Sequence, residues 1–501
     1  MAMNPEVQKI AHVMYRAGNP PEAQKMAESY LAKHPNDAIA RGILGQALAA
    51  QLKPTEARIQ LMKALKRQPK NSQILCALGE VSMNTGNYRD ALAKFDKSLK
   101  YSPGFPAALS GKMETYLRLH KIPDAIRVFE QSGTVIDGNA SPDVIRTLTR
   151  ARLRNGETEA ALDTIRLSLP LKDGIPSEHR RSILFLQGEC LMKLKRHQEA
   201  FESYKQANEV YGRRWNPQSE IDFVEESMEL LTSERIQRMP KSDVDASGIV
   251  LIVGLPRCGS TLTEQIIDAH PMACGVGEST KLPELANLMH ERFGHDRKWP
   301  GNIDALTRDQ LVQLGRDYMD HISTNTGNAK CIVDKQLGNF MSLGLIEAML
   351  PGARVIHCTR HPMDLGLSVW TNLFAPGQIA WGDHLDDIGH TWNRYRKLMS
   401  HWDANCSMPR MDVHYERLVE ETERYAREII QFCGLEWDPV CLRFWESKRT
   451  VLTLSQNQVN KPIYSGSVAR HAAWGGLLDP LRGALGPAID DYEQESGHPE
   501  A

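Results

Sequence analysis

Residues Gly248 to Asp268, GIVLIVGLPRCGSTLTEQIID, constrain the fold more than any other stretch. Ile249 to Val253 is a short run of apolar, mostly β-branched residues, the composition of a strand buried on both faces of a parallel sheet. Gly254-Leu255-Pro256-Arg257-Cys258-Gly259 follows as a turn that brings bare backbone N–H groups close to an anion. Ser260 and Thr261 then open a helix whose N-terminus carries partial positive charge. Strand, glycine turn and helix in that order make a phosphate cradle.

Downstream, strand-like and helical segments alternate. The expected strands are Cys331 to Lys335, Arg354 to Arg360 and Met411 to Tyr415, with Ala273 to Glu278 as a short link or edge strand. Helices are expected from Thr261 to Ala269, from Ser279 or Thr280 through Leu288, from Leu306 to Ser323, from Met341 to Leu350, after His361-Pro362, and from Glu416 to Phe432. Such alternation predicts an α/β domain with a central parallel sheet. Ligands of these sheets bind at the carboxyl ends of the strands, where Arg257, Lys335 and Arg360 all fall.

The first two-fifths of the chain carry a different signal. Pro35, Pro69 and Pro103 are 34 residues apart, and Ala23, Ala57, Ala91 and Ala125 keep the same step. Gly45 and Gly79 each lie 12 residues before their alanine, and Leu61, Phe95 and Phe129 lie four residues after theirs. The small residues let paired helices approach, the large one fills the groove, and the proline ends the second helix. A period of this length with these markers is the tetratricopeptide pattern. Leu148 with Ala160 and Gly188 with Ala200 keep the 12-residue gap, which extends the array to about six repeats over residues 1–213. Stacked repeats form an all-α solenoid with a concave face. That face serves as a docking groove for a protein or peptide, or the array is a scaffold that packs on the second domain or makes a homodimer. Gln218 to Arg238 has helical spacing and is expected to cap the solenoid, within a capping and linker segment 214–247. The second domain is expected over 248–490, followed by a polar tail, 491–501.

The formal charge of −2 gives no electrostatic footprint for nucleic acid. Nine cysteines without C-x-x-C pairs point to reduced thiols in a cytoplasmic setting. The first residues lack an apolar core of signal-peptide length, and no apolar run approaches the ~18 residues of a membrane span. No metal-ligand spacing is present, so no metal is expected.

The loop at Gly254 resembles a P-loop in which Ser260 takes the lysine position and the cation has moved to Arg257. In this form, P-R-x-G-[ST]-T after a strand, it is similar to the 5′-phosphosulfate loop of sulfotransferases, which take sulfate from 3′-phosphoadenylyl sulfate (PAPS). The resemblance implies cofactor contacts from Arg257, Cys258, Gly259, Ser260, Thr261 and Leu262. T-R-H-P-M-D-L-G-L-S resembles the family's 3′-phosphate motif, which implies that role for Arg360 and Ser368. V-H-Y-E-R-L-V is similar to a nucleotide-contacting segment of tyrosylprotein sulfotransferases and implies a contact from Tyr415. S-Q-N-Q-V-N-K-P resembles their late loop, implying Ser455 in the catalytic set and Arg470 near the cofactor. Lys335 is at the strand end where the family places a lysine near the transferred group. Small-molecule sulfotransferases use a histidine two residues further on, but that position is Leu337. Tyrosylprotein sulfotransferases use a glutamate in G-E-x-T, which Gly277-Glu278-Ser279-Thr280 fits, so Glu278 is the implied base, with His270 and His357 as other candidates. The resemblance covers about residues 249–485, and the tandem resembles the repeat-containing sulfotransferases. The expected activity is PAPS-dependent sulfuryl transfer to a hydroxyl, with protein tyrosine, carbohydrate and small phenol all open as acceptors. The alternative readings are a repeat interaction protein with a catalytically silent nucleotide domain, and a P-loop kinase or NTPase, against which the missing lysine counts.

Overall fold

The computed structural model describes residues 4–168, 176–212, 214–375, 377–446 and 466–497, in two compact units that divide at Tyr211/Gly212. Unit one holds twelve helices among the described residues, α1 (Pro5–Tyr15) to α12 (His197–Glu209). They come in antiparallel pairs such as α3 (Ala38–Ala50) with α4 (Pro54–Arg67) and α5 (Ser72–Asn84) with α6 (Tyr88–Tyr101). Pro35, Pro69 and Pro103 each stand two residues after the second helix of a pair.

The small-to-large code of the repeats is a direct contact. A Cβ at Gly45 would lie 2.5 Å from Leu61, one at Gly79 2.7 Å from the Phe95 ring, and one at Gly188 2.6 Å from the Tyr204 ring. One repeat departs from the expected register. The buried alanine of that pair is Ala161, fully enclosed, whereas Ala160 is half-buried. Ala161 is thus 36 residues after Ala125, because α9 (Pro142–Arg154) begins 20 residues after the start of α8 (Ile122–Gln131), against 18 from the start of α4 to that of α5. The 12-residue gap that ends on Ala161 starts at Thr149, so the Leu148–Ala160 pairing lies one residue short.

Unit two opens with α13 (Gln218–Leu230) and α14 (Ser233–Arg238). This segment, expected as the solenoid's cap, packs within unit two. Arg394 stacks over Trp215 at 5.1 Å, the Ser233 N–H donates to Asn405 Oδ1 at 2.6 Å, and Lys241 pairs with Glu347 at 3.0 Å. Ile236 is buried in the same unit. Helical spacing identifies the helices, but not the partner that absorbs their apolar residues.

The core of unit two is a five-stranded parallel sheet. Its strands are β1 (Ile249–Val253), β2 (Ala273–Gly277), β3 (Cys331–Asp334), β4 (Arg354–Thr359) and β5 (Arg410–His414), in the order β2-β3-β1-β4-β5. β1 is buried throughout, as its unbroken apolar run requires. Helix α15 (Ser260–Asp268) follows β1, and α16 (Lys281–Phe293) and α17 (Arg308–Ile322) follow β2. Helix α18 (Leu343–Met349) follows β3 after a 3₁₀ turn, Leu337–Ser342, and α19 (Pro362–Trp370) follows β4. Helix α20 (Leu385–Asn405) adds 21 residues beyond the expected elements and contributes Trp392, Tyr395 and Trp402 to the core. The expected helix after β5 is two, α21 (Tyr415–Glu420) and α22 (Thr422–Phe432).

Of the stretch expected as a polar tail, residues 491–496 are helical. Residues Ala488–Ser496 form a helix in which Tyr492 is buried, donates to Glu416 Oε2 at 2.6 Å and meets Trp392 edge-on. Ile489 and Tyr492, three residues apart, give this acidic segment an apolar side.

Gly79→Val is expected to lower the stability of the solenoid by about 1–3 kcal/mol through overpacking against Phe95. Urea unfolding monitored by helical circular dichroism measures it, and an unchanged midpoint would contradict the contact described.

Candidate functional site

The site assembles at the carboxyl edge of the sheet, where β1 lies between β3 and β4. The loop after β1 has no room for larger residues. A Cβ at Gly254 would collide with the Cys358 carbonyl, and one at Gly259 would lie 2.6 Å from Tyr415 Cδ2. Gly259, at φ +97°, is the N-cap of α15 and supplies no side-chain cap, so the first turn of the helix presents backbone N–H groups. Cys258, Ser260, Thr261 and Leu262 are all buried.

Arg257 occupies the left-handed region at φ +74°, uncommon for a residue with a side chain. Two residues distant in sequence hold it there. Its Nε donates to Ser368 Oγ at 3.0 Å, and its carbonyl accepts from Arg360 Nη1 at 3.4 Å. Arg360 leaves the end of β4, and its guanidinium lies 4.9 Å over the Tyr415 ring. Asp364 stands 3.8 Å away, and the Ser467 carbonyl accepts from Nη2. Arg360 Nε is buried without a hydrogen-bond partner among the described residues, a donor that a bound anion would satisfy. Arg257, Arg360, Ser368 and Tyr415 therefore form one group beside the uncapped helix.

Behind this group is a polar network that the sequence motifs do not reveal. Asp364 Oδ1 accepts from the His471 N–H at 2.9 Å and from its Nδ1 at 2.8 Å. Burial pushes the Asp364 carboxyl up, but His471 and Arg360 together hold it below the usual carboxylate range. The His471 ring stacks on His361 at 4.7 Å, and Glu416 accepts from the His361 N–H at 2.9 Å.

The second group lies on the other side of β1. Lys335 is only 1% exposed, with its ammonium 2.8 Å from Glu278 Oε1 and 3.7 Å from Glu264 Oε2. Glu278 reaches it from the rim, with its side chain 48% exposed. Glu264, one turn into α15, also accepts from the Gly277 N–H at 3.1 Å and ties the edge strand to the helix. Asp334, fully buried, accepts from the Gln336 N–H at 2.9 Å, the Tyr318 hydroxyl at 3.0 Å and the Ser279 N–H at 3.4 Å. Burial pushes its carboxyl up to about 6 despite these donors.

The remaining candidates fare differently. Arg470 is exposed at the start of a 3₁₀ stretch, Arg470–Leu478, next to His471. Ser455 and the late loop lie outside the described residues. His357 is buried between Asp412, 2.6 Å from Nδ1, and the Tyr395 hydroxyl, and burial lowers its basicity. His270 follows the far end of α15, at the amino edge of the sheet, and Nε2 is 2.8 Å from the Glu436 carbonyl. Neither histidine belongs to the assembly. Glu264, Asp334, Asp364 and His471 join the site although no role is read for them in the sequence: Glu264 and Asp364 lie inside the quoted stretches and Asp334 beside Lys335, but their partners are distant in the chain. Among the described residues, no group of three or more His, Cys, Asp or Glu is placed to hold a metal ion, and no helix is long and apolar enough to cross a membrane.

Residues 250–439 match the Sulfotransferase family, and residues 9–72 and 182–212 match tetratricopeptide repeats. The chain thus joins a sulfotransferase-family domain to tetratricopeptide repeats. An uncharacterised protein of Aquifex aeolicus (strain VF5) is 29% identical over 385 residues, covering 75% of this chain and 50% of that protein. Protein-tyrosine sulfotransferase A of Caenorhabditis elegans is 24% identical over 233 residues, 43% of this chain and 59% of that protein. The chain therefore spans between half and three-fifths of the length of these relatives. Among solved structures, the sulfotransferase domain of the Synechococcus PCC 7002 olefin synthase aligns with 52% of this chain and 99% of its own, at 18% identity and a TM-score of 0.38.

The raised Asp334 carboxyl makes folding stability depend on pH. The folded chain holds that proton more tightly than the unfolded chain, whose value is near 3.8, so this contribution is full below that value and is lost as pH rises through about 6. Asp334→Asn cannot ionise. Between pH ~4 and ~7 the wild type should lose on the order of 2–3 kcal/mol relative to this variant. Urea unfolding at a series of pH values measures the difference, and parallel curves would contradict it.

Proposed function

We propose that this chain is a PAPS-dependent sulfotransferase that moves the sulfuryl group to an acceptor hydroxyl, with tyrosine of a protein or peptide as the favoured acceptor. The observation that carries the reading is the pairing of two groups around one helix N-terminus. Arg257, Arg360 and Ser368 stand on one side and the Lys335–Glu278 pair on the other. Cations and N–H groups suit a nucleotide carrying phosphates at both ends, and a rim carboxylate suits an acceptor that must lose a proton.

In this reading Arg360 and Ser368 hold the 3′-phosphate, and Tyr415 supports Arg360 from below. The loop from Arg257 to Leu262 holds the phosphosulfate. The acceptor oxygen attacks sulfur, the S–O bond to the phosphate breaks, and adenosine 3′,5′-bisphosphate leaves. Charge grows on the departing phosphate oxygen, where Arg257, the loop N–H groups and Lys335 stabilise it. Glu278 takes the acceptor's proton from its place at the rim, 2.8 Å from the Lys335 ammonium. Ser455 and Arg470 complete the cofactor contacts as proposals from resemblance. No metal is assigned a role. The solenoid recruits the acceptor or another protein or peptide partner, with a homodimer as the alternative use of its surface. Nine free thiols fit a reducing, cytoplasmic setting.

Incubation with ³⁵S-labelled PAPS and cell extract, followed by identification of the labelled product, tests the activity and names the acceptor. Calorimetric titration separates this reading from an NTPase. Adenosine 3′,5′-bisphosphate should bind more tightly than ATP with Mg²⁺, and Arg360→Ala should weaken the bisphosphate while leaving AMP nearly unchanged. Tighter ATP binding would overturn the assignment.

Glu278→Gln keeps the shape of the side chain and removes the proton acceptor. Turnover should fall by about 10²–10⁴-fold, with bisphosphate affinity little changed. Near-normal turnover on the same preparation would show that Glu278 is not the base.

A further inference from the structure

Glu278 is an exposed member of the proposed site, and its side chain meets Lys335 from solvent. Its position is set by the backbone on either side of it. The Gly277 N–H is held by Glu264, and the Gly277 carbonyl accepts from the Lys335 N–H at 2.8 Å. On the other side, the Ser279 N–H points to Asp334 Oδ1 at 3.4 Å. Ser279 Oγ in turn accepts from the Lys281 N–H at 3.3 Å, where α16 begins. The turn that carries Glu278 is thus fastened before and after it.

The second fastening is an ionisable group where packing alone would favour an apolar one. Asp334 ends a strand whose other residues are Cys331, Ile332 and Val333, and it is fully buried. A carboxylate there needs several donors to offset its desolvation. It has the N–H groups of Ser279 and Gln336, the Tyr318 hydroxyl and, at 3.5 Å, Asn339 Nδ2. Asp334 and Lys335 are adjacent, and successive strand side chains point to opposite faces. One side chain of the dipeptide reaches the backbone after Glu278, the other reaches the Glu278 carboxylate, and the N–H between them reaches the backbone before it.

We propose that Asp334 is a positioning residue that fixes Glu278 against Lys335 by anchoring the Ser279 N–H. Its role in turnover rests on the reading of Glu278 as the base; its role as an anchor does not. Asp334→Ala removes the acceptor, whereas Asp334→Asn keeps an amide oxygen for Ser279.

Two measurements on the full chain test this. Hydrogen exchange followed by mass spectrometry reads residues 277–281 directly. Exchange there should rise at least about tenfold in Asp334→Ala and stay near wild type in Asp334→Asn, with the β3 amides protected in both. Unchanged exchange at 277–281 in Asp334→Ala overturns the anchor, whatever the enzyme transfers. The second measurement is a double-mutant cycle on sulfuryl transfer. Asp334→Ala should lower kcat by about 10²-fold, the scale of a small misplacement of a reacting group, with bisphosphate affinity unchanged. In a Glu278→Gln background the same substitution should change the residual rate less than about threefold. Equal losses in both backgrounds would show a general structural role and overturn the proposal. Absence of sulfuryl transfer in the wild type, with the exchange result as expected, would sink the sulfotransferase reading and leave the anchor standing. If Asp334→Ala does not fold, Ser279→Pro removes the donor from the other side, and the same two outcomes apply.

Discussion

The buried ammonium of Lys335 is the constraint on which this domain's candidate site depends. Removing such a charge from water costs several kcal/mol unless opposite charge and hydrogen bonds replace the solvent. The replacements come from two directions, Glu264 on the helix after the glycine loop and Glu278 on the turn after the edge strand. One cation therefore draws three separate segments to one point. It also divides the site by charge. Two carboxylates gather around Lys335, while Arg360 has one, Asp364, which is itself tied to His471. In the proposed reaction that gradient runs from the proton-accepting end to the phosphate-holding end.

Both units use the same packing device for different ends. In the solenoid, glycines at 45, 79 and 188 face Leu61, Phe95 and Tyr204, and the fit sets how closely paired helices lie. In the second unit, Gly259 faces Tyr415, and the fit sets how closely the glycine loop approaches the ring beneath Arg360. In each case the absence of a Cβ is the specification.

Much of this is legible in the residues alone. The period of the repeats, the unbroken apolar run of β1 and the glycine spacing are signals carried by neighbouring residues, and each corresponds to the expected element. Arg257, Arg360 and Ser368 do meet, although more than a hundred residues separate Arg257 from its partners. Less is legible where the meaning of a residue depends on a distant partner. Asp334 reads as an ordinary strand end, and two of its four donors, Ser279 and Tyr318, come from other segments of the chain. The helix Gln218–Leu230 has the same spacing whichever unit it joins, and the acidity of residues 490–495 hides the side of Tyr492 that is buried. The extra two residues before α9 break a period that simple counting takes as constant.

Arg257 illustrates a conflict between ease of folding and chemistry. Its left-handed backbone costs an arginine on the order of 1–2 kcal/mol and costs a glycine almost nothing. Every arginine codon is a single base from a glycine codon. Mutation therefore continually offers this position a change that relaxes the loop and deletes the cation bonded to Ser368. Selection for stability alone would accept it. In a lineage that lost its activity, this is a position where glycine should accumulate early, which makes residue 257 a marker of whether a homologue is still under selection for chemistry.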